Sequence, residues 1–159
     1  MARIYVETSI PSFYYEVRTQ PEMVAMTHWT RQWWAKAFGI DELVTSVAVF
    51  AELDGGEYPG KQDALELMKG LPILETDAAI LEIVEAYLTH KMMPADPFGD
   101  ALHLALASFH HCDFLVTWNC SHLANPNKFG QIRRLNGILG ISVPSLVTPF
   151  QLLGQPGVP

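Results

Sequence analysis

Short apolar runs and longer amphipathic stretches alternate along the chain, and this pattern predicts strands that alternate with helices. RIYV at 3–6 is rich in β-forming residues, and FLVT at 114–117 is a continuous apolar run typical of an interior parallel strand. The stretch 76–92 has the spacing of an amphipathic helix, whereas 99–111 is apolar almost all round and therefore predicts a buried helix. The predicted order is strand 3–6, a helix capped by Thr8 or Ser9, helix 21–38, strand 43–45, helix 47–53 capped by Ser46, helix 59–69, strand 72–74, helix 76–92, helix 99–111, strand 114–117, helix 129–139, strand 141–143 and a last turn near Phe150.

This alternation predicts an α/β fold with a central parallel sheet covered by helices on both faces. The 159 residues suit one domain, and no linker divides the chain, so we expect a single domain over 1–153. The tail at 154–159 is rich in Gly and Pro and is expected to be frayed. In such folds, ligands bind beyond the carboxyl ends of the strands, where functional side chains are to be sought.

Composition narrows the class of protein. The sequence is 49% hydrophobic but only 17% charged, which favours a well-buried domain and leaves apolar surface that oligomerisation would cover. A net charge of −7 argues against a surface that binds nucleic acid through its own cations alone. Cys112 and Cys120 cannot form a disulfide framework, and neither a signal peptide nor a membrane span is expected, so the prediction is a cytoplasmic protein.

Acidic and amide side chains converge on the carboxyl edge of the predicted sheet. Glu7 directly follows the first strand, and Asn119 follows FLVT by two positions. The helix that Asp100 opens runs antiparallel to FLVT, so Asp100, and Asp96 four residues earlier, should lie close to Asn119. Glu52 lies two turns into the helix after the second strand, and it reaches the cluster only if that helix stays over the edge.

Carboxylates that converge without arginine partners repel one another, and a hard divalent cation resolves this conflict. Magnesium prefers oxygen ligands and typically uses one or two carboxylates together with substrate phosphate. Such a cation orients and acidifies water for attack on phosphorus. The residues alone therefore indicate metal-assisted hydrolysis of a phosphodiester.

Four stretches together resemble the PIN-domain family over nearly the full chain. They are YVETSIPSFYYE, TSVAVFAEL, GDALHLALA and CDFLVTWNCSHL, of which the last two are the most specific. The resemblance implies a three-layer α/β/α PIN fold and a Mg²⁺- or Mn²⁺-dependent ribonuclease of the VapC branch of toxin–antitoxin systems. It also implies a homodimer and a cognate antitoxin whose tail occupies the active-site groove.

The same resemblance implies roles for particular residues. The acidic triad that holds the metal would be Glu7, Glu52 and Asp100, with Asn119 at the fourth acidic position. Two hydroxyls, those of Thr8 and Thr117, match positions that hydrogen-bond the metal-site carboxylates. The family usually has Asp at the first and fourth positions, so Glu7 adds a methylene and Asn119 removes a charge that Asp96 would restore. An amide oxygen at 119 can still ligate or position a metal's water, although it attracts the cation less.

Other interpretations of these residues remain open at this stage. Each carboxylate taken singly has an ordinary structural explanation, such as a helix N-terminus for Asp100. A catalytically weakened PIN-fold module that binds RNA or protein without cleavage is the main alternative. A zinc site is conceivable among His103, His110, His111, Cys112, Cys120 and His122, although their spacing matches no usual ligand pattern. The default for His103 is packing one turn after Asp100. The pair Trp29 and Trp33 suits a core or dimer contact better than base stacking.

Overall fold

Five short parallel strands form the centre of the molecule, seen in a computed structural model that describes residues 1–92 and 99–154. They are β1 (Arg3–Val6), β2 (Glu42–Ser46), β3 (Ile73–Leu74), β4 (Phe114–Val116) and β5 (Ser145–Val147). Their order in the sheet is β3-β2-β1-β4-β5, and every neighbouring pair is parallel. The predicted parallel sheet is confirmed, with the first strand at its centre.

Eight helices connect and cover these strands in the described part of the chain. They are α1 (Ser9–Tyr14), α2 (Pro21–Ala37), α3 (Val47–Asp54), α4 (Lys61–Lys69), α5 (Ala78–Thr89), α6 (Asp100–Phe109), α7 (Pro126–Leu139) and α8 (Pro149–Leu153). From β1 to β3 each strand is added on one side of β1, and from β3 the chain returns past β1 to add β4 and β5 on its other side. Because crossovers between parallel strands are right-handed, connections that run in opposite directions lie on opposite faces of the sheet. Accordingly α1 packs against α2 and α4, while α5 packs against α6.

The core lies where β1 meets α6. Ile4, Tyr5 and Val6 are at most 2% exposed, and all residues of α6 from Ala101 to Ser108 are buried. The prediction of a buried helix is therefore confirmed. Within the described residues, no helix combines the length and the apolar character that crossing a membrane requires.

The predicted strand at 141–143 is wrong, because the strand lies at Ser145–Val147 instead. The N–H of Ile141 is used to close the end of α7 on the carbonyl of Asn136, over 3.0 Å. Pro144 has no N–H to donate, so pairing with β4 begins at the next residue, where the N–H of Ser145 donates to Asp113. The preceding helix also begins earlier than expected, at Pro126, because the Asn125 side chain accepts the N–H of Asn127.

Candidate metal centre at the carboxyl edge of the sheet

Four of the predicted site residues lie at one edge of the sheet. Glu7 follows β1, Asn119 follows β4, Asp100 is the first residue of α6, and Glu52 lies near the end of α3. One ligand atom each from Glu7, Glu52 and His103 lies within 4.8 Å of the other two. Helix α3 therefore does stay over the edge, which the sequence left undecided. Asp96 lies outside the described residues.

The carboxylate of Glu7 is buried, at 7% exposure, and the donors from residues 1–92 and 99–154 converge on one of its oxygens. Its Oε1 accepts the N–H of Ser9 at 3.1 Å, the Ser9 hydroxyl at 2.5 Å and the Thr117 hydroxyl at 2.6 Å. The Ser9 Oγ in turn accepts the backbone N–H of Trp118 at 2.8 Å. Glu7 is thus fixed by the first residue of α1 and by the residue that follows β4, the neighbouring strand.

The carboxylate of Glu52 is held in a similar way, although its side chain is 34% exposed. Its Oε1 accepts a hydrogen bond from the Thr8 hydroxyl and another from Nε2 of His103, the latter at 2.7 Å. Burial raises the pKa of Glu52, but the hydrogen bond and charge of His103 and the hydroxyl of Thr8 outweigh it. The net result is a pKa below the ordinary range, so Glu52 is an anion at neutral pH.

Asp100 is oriented by Asn119. The amide Nδ2 of Asn119 donates to Oδ1 of Asp100 at 2.9 Å, which places the two residues side by side as the sequence predicted. The amide oxygen of Asn119 accepts the N–H groups of Ser121 and His122, at 3.2 and 3.0 Å. These three contacts fix which end of the amide faces the carboxylate. In this structure residue 119 contributes a donor to Asp100 and its oxygen accepts two backbone N–H groups, while its expected role at the metal stays a prediction.

Two hydroxyls at helix starts serve the site rather than the helices. Thr8 and Ser46 occupy the N-cap positions of α1 and α3, as predicted, but neither makes a side-chain capping bond. Instead the Thr8 hydroxyl contacts Glu52, and the Ser46 hydroxyl contacts the Tyr5 hydroxyl at 2.7 Å. The helices lose roughly 1 kcal/mol per missing cap, and the site gains two fixed polar contacts.

Glu7, Glu52 and Asp100 share one hydrogen-bonding pattern, although among the described residues the ligand atoms that lie within 4.8 Å of one another are those of Glu7, Glu52 and His103. All hydrogen bonds of the three carboxylates with residues 1–92 and 99–154 fall on one oxygen each: Oε1 of Glu7, Oε1 of Glu52 and Oδ1 of Asp100. Within the same residues, no Lys or Arg forms an ion pair with any of the three. The second oxygens receive no donor from the described chain. Carboxylate oxygens that accept no donor from the described residues are ligands of the kind that Mg²⁺ and Mn²⁺ take.

Sequence reasoning missed the position of His103, which is 1% exposed. Its Nδ1 lies 2.7 Å from the Tyr5 hydroxyl, and its Nε2 bonds Glu52 rather than Asp100. Burial lowers the pKa of His103, but the hydrogen bond to Glu52 and the charges of Glu7, Glu52 and Asp100 raise it above the ordinary range. The available signal was the spacing of three between Asp100 and His103, which puts both on one face of a helix.

The zinc site that the sequence left as an alternative does not form among the described residues. Among the described residues, the only group of three or more His, Cys, Asp and Glu close enough to share an ion is that of Glu7, Glu52 and His103. His110 bonds the carbonyl of Glu75, and His111 bonds the Ser142 hydroxyl. These two histidines, which the zinc alternative included, therefore bond different partners in different places.

The tryptophan side chains of α2 pack mainly inward. Trp33 is 2% exposed, which agrees with the expected core role. Trp29 is half-buried and packs against Trp118 and Phe150, with ring centroids 6.2 and 4.5 Å away. Trp118 also donates its indole N–H to the Thr30 hydroxyl at 2.8 Å, so its ring is locked beside the site.

Comparison with known proteins supports the fold. No protein-family model and no curated protein matches the chain by sequence. In structure, the chain is similar to FitAcB from Neisseria gonorrhoeae, known from its crystal structure. The similarity covers 92% of this chain and 98% of that chain, with 15% sequence identity and a TM-score of 0.54. At this identity the likeness concerns the fold, and together with the five parallel strands it confirms the predicted α/β architecture with a central parallel sheet.

Proposed function

We propose that this chain is a metal-dependent ribonuclease of the PIN-domain, VapC-like type, which hydrolyses phosphodiester bonds of RNA. The observation that carries the proposal is the set of three carboxylates, each held through one oxygen and, among the described residues, without a donor at the other. The PIN-type fold and the position of the cluster at the carboxyl edge of a parallel sheet support it.

Glu7, Glu52 and Asp100 would hold Mg²⁺ or Mn²⁺ through these open oxygens. When bound, the cation supplies positive charge that stabilises the phosphate as negative charge builds on it, and it helps to orient the attacking water. Thr8, Ser9 and Thr117 fix two of the carboxylates, so little reorganisation is needed when the substrate arrives. Asn119 keeps Asp100 in place from the side away from its open oxygen.

RNA is the substrate that we propose on the strength of the PIN resemblance, in single-stranded or loop form. The chain carries a net charge of −7, so its surface as a whole does not attract a polyanion. Positive charge at the site would come from the cation, which also contacts substrate phosphate. This explains how an acidic protein could act on a nucleic acid.

A second function, a PIN-fold module that binds RNA or protein without cutting, is favoured by one observation. Residue 119 supplies an amide donor where the family commonly has a carboxylate, so the described cluster has one negative charge fewer. A weaker attraction for the cation would follow. Cleavage and metal-binding measurements separate the two functions.

The deciding experiment is cleavage of a mixed single-stranded RNA pool with Mn²⁺, with Mg²⁺ and with EDTA. It compares wild type with Asp100→Asn, and with Glu82→Gln as a control that changes an exposed carboxylate on α5. The proposal expects cleavage that needs metal, persists in Glu82→Gln and is lost in Asp100→Asn. Equal cleavage by Asp100→Asn would remove the mechanism, whereas folded wild type that never cleaves any RNA would favour the binding module.

The proposed partners are a cognate antitoxin and a second copy of the chain, in the cytoplasm. A groove of about 820 Å³ lies directly beside Glu52, lined mostly by apolar residues that include Val47, Ile73 and Leu102. Val47 and Ile73 are 63% and 51% exposed, which is apolar surface that a partner would cover. Sedimentation that shows only monomer over a wide concentration range would contradict the homodimer.

A further inference from the structure

A series of buried hydrogen bonds runs from β2 through β1 and α6 to Glu52. Ser46 Oγ lies 2.7 Å from the Tyr5 hydroxyl, which lies 2.7 Å from Nδ1 of His103, and Nε2 of His103 lies 2.7 Å from Oε1 of Glu52. Ser46 and Tyr5 are fully buried, and His103 is 1% exposed. Only the last member, Glu52, reaches solvent.

Glu52 needs such support because its own helix does not fix its carboxylate. It lies in the last turns of α3, its side chain is 34% exposed, and three side-chain torsions separate its carboxylate from the backbone. Its donors come from elsewhere in the chain, from Thr8 after β1 and from His103 on α6. His103, in contrast, is 1% exposed and has both ring nitrogens engaged, and its ring lies 5.6 Å from that of Tyr5.

The direction of the bonds follows from the chemistry of each group. A carboxylate only accepts, so Nε2 of His103 carries a proton and donates to Glu52. With a neutral imidazole, Nδ1 accepts from Tyr5, whose oxygen then accepts from Ser46. With a charged imidazole, Nδ1 donates to Tyr5, which donates to Ser46. Two rotating hydroxyls therefore satisfy both forms, and the bond from Nε2 to Glu52 is present in each.

We propose that His103 is a positioning residue that holds Oε1 of Glu52 and so presents Oε2 to the divalent cation, with Tyr5 and Ser46 fixing the imidazole. This rests on the proposed metal-dependent function and assigns His103 a role outside the ligand set, since the Nε2 proton leaves no lone pair for a cation. It gives a role to the histidine whose ring nitrogen lies within 4.8 Å of the ligand atoms of two carboxylates.

The test measures Mn²⁺ binding to the full chain without RNA, from the electron paramagnetic resonance signal of free Mn²⁺. In His103→Gln the amide nitrogen stands near the place of Nε2 and keeps the donor. In His103→Asn the shorter side chain can face Tyr5 but cannot reach Glu52. Tyr5→Phe removes the support behind the imidazole. The control is His28→Asn, an exposed histidine on α2, and thermal unfolding shows which variants are folded.

The expected result is Mn²⁺ affinity weakened about 10- to 100-fold in His103→Asn, less in Tyr5→Phe, and largely restored in His103→Gln. A purely structural role for the ring would not be rescued by glutamine. Wild-type affinity in folded His103→Asn would overturn the inference, as would equal losses in the Gln and Asn variants. If His103→Asn does not fold, wild-type affinity in Tyr5→Phe overturns it instead. Wild type that binds no Mn²⁺ would refute the proposed metal site itself, and the role of His103 with it.

Discussion

Asn119 donates from Nδ2 to Oδ1 of Asp100 over 2.9 Å, while its own oxygen accepts two backbone N–H groups of the following turn. A carboxylate at this position would meet Asp100 with like charge instead of a donor. The amide therefore replaces a repulsion between residues 100 and 119 by a hydrogen bond, and the site has one negative charge fewer than with a carboxylate there.

Asn119→Asp should lower the stability of the metal-free protein and raise its affinity for metal. The new carboxylate can still accept the N–H groups of Ser121 and His122, but it faces Asp100 as an anion and without a donated hydrogen bond. We expect the metal-free variant to lose about 1–2 kcal/mol at pH 8 and Mn²⁺ to stabilise it more than wild type. Thermal unfolding with EDTA and with Mn²⁺ measures both effects. The control is Asn127→Asp, which changes an exposed residue on α7. Mn²⁺ should stabilise this variant as much as it stabilises wild type. Equal stabilisation of Asn119→Asp and wild type by Mn²⁺ would count against this account.

The stability of the metal-free protein should fall on both sides of a plateau in pH. The pKa of Glu52 is lowered in the fold, so its contribution is present above the ordinary value of 4.5 and is lost as pH falls through the lowered pKa. The pKa of His103 is raised, so its contribution is fully present below 6.5 and is lost as pH rises through the raised pKa. Urea unfolding in EDTA across this range measures the profile.

His103→Gln provides the control for that profile. Glutamine does not titrate, so the loss of stability on the alkaline side should disappear. The loss on the acid side should also weaken, because the charge of the imidazolium no longer lowers the pKa of Glu52. An unchanged alkaline slope in this variant would assign the effect to another group.

Thr117→Val should leave the carboxylate of Glu7 less firmly positioned. The change keeps the shape of the side chain, but it removes one of the three donors to Oε1 of Glu7 and the acceptor for the N–H of Asn119. We expect Mn²⁺ affinity about 10-fold weaker and a free energy of unfolding about 1–2 kcal/mol lower. Thr117→Ser keeps the hydroxyl and should recover most of the affinity. A valine variant that binds Mn²⁺ as wild type does would show that the donor is dispensable.

Asn136→Ala should destabilise the fold without changing the Mn²⁺ affinity of the proposed metal centre. Asn136 is fully buried: its oxygen accepts from the Tyr87 hydroxyl at 2.7 Å, and its amide donates to Ser108 and to the Ser142 carbonyl. Burial raises the pKa of Tyr87 to about 12, so that hydroxyl is neutral, and in the variant it loses the acceptor at 2.7 Å and keeps the more distant one, Ser108 Oγ at 3.4 Å. We expect a loss of about 2–4 kcal/mol in chemical denaturation.

Two further measurements define the origin of that loss. In a double-mutant cycle with Tyr87→Phe, the coupling should be about 1 kcal/mol, because the two residues share a hydrogen bond. Mn²⁺ affinity of folded Asn136→Ala should equal that of wild type. A weakened affinity would mean that this buried cluster is coupled to the metal centre.

Much of the framework of the site could be predicted from local sequence. Glu7 was located at the sheet edge because RIYV had to be a strand, and Asp100 was located beside Asn119 because a helix that runs into a strand begins near the strand's end. Glu52 could not be located in this way, since its distance from the edge depends on the tilt of α3. The strand predicted at 141–143 failed because apolar character does not show which N–H groups are already used, as that of Ile141 is.

The sequence by itself determined the alternation of strands and helices, the parallel sheet and the identity of the acidic residues, because these follow from hydrophobic periodicity and chain direction over short distances. Only the tertiary structure decided which oxygen of each carboxylate is held and which is open. Those hydrogen bonds join residues 44, 51 and 110 positions apart, from Thr8 to Glu52, from His103 to Glu52 and from Thr117 to Glu7. Their geometry depends on packing to within tenths of an ångström, which the pattern of residue types along a chain does not encode.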